Sequence, residues 1–236
     1  MLAAVNEAAR VPADTPPNVE GTIRIGITYT VAGYFILSFI HRAGRLFPGL
    51  KIVLHEAERP EIEERLLEEE LDLAVMLTSN LDNRDEIDCE TLVRSQRRLW
   101  LPVEHPLSRP ASVSLADIID YPYIALTVDE AMTTQQSYWA VAEVAPSVVF
   151  ETSSVEAVRT MVAAGMGITV LSDMVYRPWS LEGQRIETRD LVDDIPTMDV
   201  GVAWKASRPR SGAALAVVHF LMRNVGYDAR HSRKSR

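Results

Sequence analysis

Cysteine is almost missing from this 236-residue chain: Cys89 stands alone. That excludes an internal disulfide framework and any metal site built from several thiolates. Apolar runs of the roughly 18 residues needed to span a bilayer are also missing. Basic charge is scarce, with 24 Lys and Arg against 33 Asp and Glu and a net charge of −9. Residues 227–236 hold four of those bases and one acid, leaving 20 against 32, or −12, over residues 1–226. A body this acidic repels phosphate backbones, so any part that reads DNA is expected outside this chain. The chain has no Gly-x-Ser-x-Gly elbow, no phosphate-binding Walker loop and no His-Glu-x-x-His. Histidines 41, 55, 105, 219 and 231 are scattered without ligand spacing. No catalytic residue, metal ligand or cofactor is therefore expected, and the chain reads as a non-enzyme.

What is present is the ordinary balance of a soluble globular protein, 47% hydrophobic and 24% charged. The first 17 residues lack the basic-then-apolar order of a secretory signal, so the expected location is the cytoplasm, with no membrane partner. Residues 2–10 are alanine-rich and 12–18 hold three prolines, which reads as the end of a helix and a linker. From Gly21 strands and helices alternate: strands over 22–27, 51–55 and 71–77, helices over 31–47 and from Pro60 to residue 70. The rhythm restarts with strands over 123–126, 148–151 and 168–171 and helices over 130–144 and 154–164. Residues 92–103 are able to run from one block to the other, and a strand over 200–204 to cross back, before a final helix over 214–225. The fold class is α/β: two lobes built on parallel sheets, joined by two crossing segments around a cleft.

Several features carry two readings. Thr28, Tyr29 and Thr30 fall between the first strand and its helix, where free N–H groups and the helix dipole favour an anion. Thr152 and Ser153 occupy the corresponding place in the second block. Either group could instead cap its helix, and Ser153 with Glu156 fits a capping box. Glu58 and Arg59 follow the second strand, where the cleft should open. The nine carboxylates over residues 56–72 otherwise read as the solvated side of a helix. Gly165-Met166-Gly167 follows a helix rather than preceding one, so it reads as a C-cap and not a dinucleotide loop. Cys89 lies among Asp85, Glu86, Asp88 and Glu90, which would raise its pKa and blunt it as a nucleophile. On the first helix Ile36, Ile40, Ala43 and Phe47 form a core face, while Phe35, Phe39 and Leu46 form a second stripe. That stripe is either deeply buried or an oligomer interface, and the interface is the expectation.

Gly21-Thr-Ile-Arg-Ile-Gly26, Thr28-x-Thr30 and Gly33-Tyr34 resemble the opening of the effector-binding domain of LysR-type transcriptional regulators. Phe47-Pro48, Glu61-Ile62-x-x-x-Leu66 and Leu71-Asp-Leu-Ala74 follow in the family order. So do His105-Pro-Leu107, Ser154-x-Glu156-Ala157 and Ala164-Gly-Met-Gly-Ile168, so that the resemblance covers residues 21–226. It implies a fold like the type 2 periplasmic binding proteins, with a small-molecule effector, anionic by the reading above, in the interlobe cleft. It further implies a homodimer or tetramer. By the family pattern Thr28, Thr30, Glu58 or Arg59, Thr127 and Ser153 would face the effector. Lobe I would comprise residues 21–96 and 203–226, lobe II residues 97–202. Residues 1–20 would be a linker-helix remnant and 227–236 a basic, disordered tail. The family's N-terminal winged helix-turn-helix is absent, so DNA would be bound only through that missing part. Ser172 replaces the usual proline, and residues 177–194 are irregular. The alternative is a solute-binding protein of a transporter, with the same fold.

Overall fold

The structure, a computed structural model, describes residues 19–232, residue 130 and residues 226–232 by backbone only. Most of the expected linker remnant and the end of the basic tail lie outside the described residues. Lobe I opens with β1 (Gly21–Ile27), α1 (Tyr29–Tyr34), α2 (Leu37–Leu46), β2 (Leu50–Glu56), α3 (Arg59–Leu67) and β3 (Leu73–Leu77). β1 pairs in parallel with both β2 and β3, and all five residues of β3 are buried. Packing on both faces explains its unbroken apolar run. Gly26 is needed here: a Cβ on it would lie 2.8 Å from Leu71 Cδ1 and 2.9 Å from Ile62 Cγ2, so only glycine lets α3 settle on β1.

The expected single helix over 31–47 is two helices. Phe35 leaves the helical region (φ −124°, ψ −59°), and both Phe35 and Ile36 donate their N–H to the Val31 carbonyl. The kink turns α2, so that Ile36, Phe39, Ala43 and Phe47 are buried and Ile40 only half-buried. Phe39, 2% exposed, is thus a core residue of lobe I and is removed from the expected interface stripe. Phe35 and Leu46 remain half-buried at the edge of that core.

The segment expected to cross between lobes is a pair of strands, β4 (Ile87–Ser95) and β5 (Arg97–Pro102), with the crossing at Gln96. Lobe II then holds α4 (Leu115–Ile118), β6 (Pro122–Leu126), α5 (Ala131–Val141), β7 (Ser147–Thr152), α6 (Val155–Ala163), β8 (Thr169–Ser172) and β9 (Ile186–Arg189). β6 and β7 are parallel, and β5 pairs antiparallel with β8 and β9. The return strand β10 (Met198–Lys205) lies wholly in lobe I, antiparallel to β3 and β4, so lobe I resumes at Met198 and not at residue 203. The lobe I sheet is consequently mixed rather than parallel, five strands in the order β2-β1-β3-β10-β4, while lobe II holds an antiparallel sheet β8-β5-β9 and a separate parallel pair β6-β7. Ser172 at the end of β8 donates its hydroxyl to Ser95 Oγ (2.7 Å), and both Ser95 Oγ and Ser172 Oγ accept from Met174 N. Ser172 therefore ties the two lobes at the crossing. α7 (Gly212–Ser232) packs on lobe I and its backbone continues past the expected end near residue 226, since no proline follows and one glycine costs a helix only about 1 kcal/mol.

Candidate ligand-binding cleft

Between the lobes lies a cleft of about 650 Å³, within the range that encloses small metabolites. Thr28, Tyr29, Glu56, Glu58 and Arg59 line it from lobe I, and Thr127, Asp129, Met132, Thr133 and Ser153 from lobe II. Parallel strands put these positions there: β1, β2 and β6 all end at this crevice, and each feeds a turn whose side chains face it. Of the expected residues, six meet in the cleft. Thr30 and Thr152 stand behind it: Thr30 is 3% exposed, and Thr152 Oγ1 accepts from Ser154 N at 3.1 Å.

Local geometry separates capping from lining. Thr28 holds the N-cap position of α1 in extended conformation, yet its side chain makes no cap bond. Its hydroxyl is buried without a hydrogen-bond partner, and the residue is only 1% exposed. An unsatisfied buried hydroxyl is costly, and one lining a cleft is a ready donor and acceptor for a ligand. At α6 the cap is Ser154, whose Oγ accepts from Ala157 N at 3.2 Å, rather than Ser153 as the capping-box reading had it. Ser153 is thereby left to line the cleft. Glu156 does not close a box either. It accepts from the Tyr34 phenol at 3.0 Å and pairs with Arg159.

Arg59 is less available than its position in the sequence implies. Its side chain, 8% exposed, is paired with the buried Glu63 and with Asp82 at 3.0 Å. Glu63 in turn accepts from Asn83 N (3.1 Å) and Asn83 Nδ2 (2.7 Å), which fastens α3 to the loop after β3. The guanidinium charge is thus largely spent inside lobe I, and the cleft also carries the carboxylates of Glu56, Glu58 and Asp129. Sequence reasoning missed Asp129 altogether, since only the fold brings it to α1. The thiol of Cys89 is pushed up by burial first and by Glu90 and Asp88 second, against Arg84. A smaller cavity of about 100 Å³ beside the start of α7 is flanked by Lys205 and Arg208, which pair with Glu69 and with Glu69 and Asp72 respectively.

Two α/β lobes with a hydroxyl-lined cleft at the strand ends define a small-molecule binding domain. The chain belongs to the LysR family: residues 18–226 match the family's substrate-binding domain. The transcriptional regulator CysB of Burkholderia cenocepacia is 24% identical over 189 residues, 79% of this chain and 59% of that protein. The crystal structure of HinK, a LysR family regulator from Pseudomonas aeruginosa, superposes with a TM-score of 0.80 at 26% identity, covering 89% of this chain and 72% of HinK. The effector-binding domain of BenM with its effector benzoate has the same fold, with a TM-score of 0.75 at 20% identity over 90% of this chain and 95% of that one. The chain spans little more than half the length of its curated relative.

Proposed function

We propose that this chain is the effector-sensing and oligomerising part of a cytoplasmic LysR-type transcription factor, not an enzyme, and that its effector is a small organic acid. The unpartnered Thr28 hydroxyl carries this reading. Among the described residues it is the one cleft group whose burial leaves a hydrogen bond unmade, and a carboxylate oxygen would complete it. Thr127, Thr133 and Ser153 supply further hydroxyls from the other lobe, and BenM, of the same fold, takes the carboxylate benzoate. An effector that touches both lobes favours one lobe arrangement by its differential affinity, about 1.4 kcal/mol for each tenfold change in population. In a whole regulator that shift would reposition DNA-reading domains carried outside this chain. Glu56 and Glu58 favour a second version of the ligand, an acid that also carries an amine.

Thr28→Val tests the reading, because it keeps the side-chain shape and removes only the hydroxyl. Melting should be unchanged or slightly raised, since no internal bond is lost, while calorimetric affinity for the best binder in a panel of small acids should fall at least tenfold. Unchanged affinity would place the effector away from Thr28 and defeat the proposal.

Two copies of the chain would associate through apolar surface that the fold leaves open. Among the described residues β7 pairs only with β6, and its Val148, Val149 and Phe150 are 43%, 54% and 44% exposed. Leu37 on α2 is 63% exposed, and Phe35 and Leu46 of the expected stripe are half-buried at the edge of the lobe I core.

A further inference from the structure

We infer that Asp129 is a resident carboxylate that clasps the two lobes together, and that an acid entering the cleft must displace it. This deepens the sensor reading and takes its biological meaning from it. Asp129 belongs to lobe II, yet its Oδ2 accepts from the Thr30 main-chain N–H on lobe I at 2.6 Å, across 99 residues of sequence. Charge-assisted bonds of this length are about twice as strong as neutral ones. The residue reaches that position only by adopting left-handed backbone, φ 51° and ψ 42°. Such a conformation disfavours most side chains but is tolerated by Asp, Asn and Gly. Beside this bond lies the buried, unpartnered Thr28 hydroxyl, facing the same cleft. The carboxylate of Asp129 thus does for α1 what an effector's carboxylate would do, and leaves the adjacent hydroxyl for the ligand alone.

The clasp has a second side. Tyr34, the last residue of α1, donates to Glu156 of lobe II at 3.0 Å, and the Arg177 guanidinium of lobe II lies 5.4 Å from the Tyr34 ring centroid. Asn80 of lobe I reaches Thr134 at 3.4 Å. The lobes are therefore held from both ends of α1, and of these carboxylates Asp129 lines the cleft whereas Glu156 does not, so an acid in the cleft meets the Asp129 bond. Exchange of an internal carboxylate for an external one lowers apparent affinity and ties the lobe angle to the length of the incoming acid.

Asp129→Gly and Asp129→Asn both tolerate the backbone conformation; the first removes the carboxylate and the second keeps a neutral acceptor. Acetate, which is the missing group itself, serves as the probe, followed through the Thr30 amide by NMR against chloride at equal ionic strength. A pair of labels on exposed Glu64 of α3 and Leu181 of lobe II, in a Cys89→Ser background, reports the distance between lobes. Asp129→Gly should bind acetate with a dissociation constant at least tenfold below that of the unaltered chain, with Asp129→Asn between them. The lobe distance in Asp129→Gly should lengthen and broaden, and return with acetate but not with chloride. Equal acetate affinity in all three proteins, acetate binding to none of them, or an unchanged lobe distance overturns the clasp. Failure of every natural acid to bind would defeat the sensor reading while leaving this acetate result standing.

Discussion

At the scale of single residues the structure redistributes work that neighbouring side chains could share in principle. Ser153 and Ser154 are chemically identical, and which one caps α6 depends on where β7 releases the chain. A capping pattern can therefore be placed one residue out by spacing alone. Arg59 is the clearest case. Its position after β2 was legible, but not its burial against Glu63, because the partner sits one helical turn on and the pair faces inward. Arg59→Ala should lower unfolding stability by about 3 kcal/mol, since it strands a carboxylate that is 1% exposed. Chemical denaturation checks this. A domain of unchanged stability with weakened ligand binding would instead make Arg59 a direct effector contact.

At the scale of elements the alternation of strands and helices was readable from β1 to β3 and from β6 to β8, since buried strands and amphipathic helices differ in period, whereas β4 and β5 read as a single crossing segment and β9 fell within a stretch read as irregular. The reading of Gly165 as a helix end agrees with its positive φ of 74° and with the Gly165 N–H to Val162 and Met166 N–H to Met161 bonds that close α6. The break between α1 and α2 was not readable. No proline marks it, and its cause is tertiary: α1 must present Thr28 to the cleft and Tyr34 to Glu156 while α2 buries Phe39 in the lobe I core. Glu156 gives this junction a pH dependence. Burial pushes its pKa up, but the hydrogen bond and charge of Arg159 and the Tyr34 phenol outweigh that and hold it below the ordinary value of about 4.5. A carboxyl whose folded pKa is lowered contributes its full stability above the unfolded value and loses it as pH falls through the folded one. Melting temperature should drop more steeply below about pH 4.5 in the unaltered chain than in Glu156→Gln. Parallel curves for the two proteins would show that the carboxylate adds nothing to the junction.

At the scale of the whole molecule, two lobes and two crossings follow from the order of strands, and the cleft follows from the strand ends. The antiparallel return of β10 and the meeting of Thr30 with Asp129 do not, because pairing across 99 residues leaves no local trace. The surface of β7 belongs to this scale as well. Val149→Lys should convert an assembly to monomers by light scattering, since it puts charge on an apolar edge strand that is open in the single chain. An assembly of unchanged mass would move the interface elsewhere.

The most direct test of the central claim is native mass spectrometry of the chain purified gently from cells, alongside Thr28→Val. The expected result is an assembly that carries a small organic acid, one per chain, which Thr28→Val loses. A neutral or purely cationic ligand, or an acid that Thr28→Val retains in full, would contradict the account.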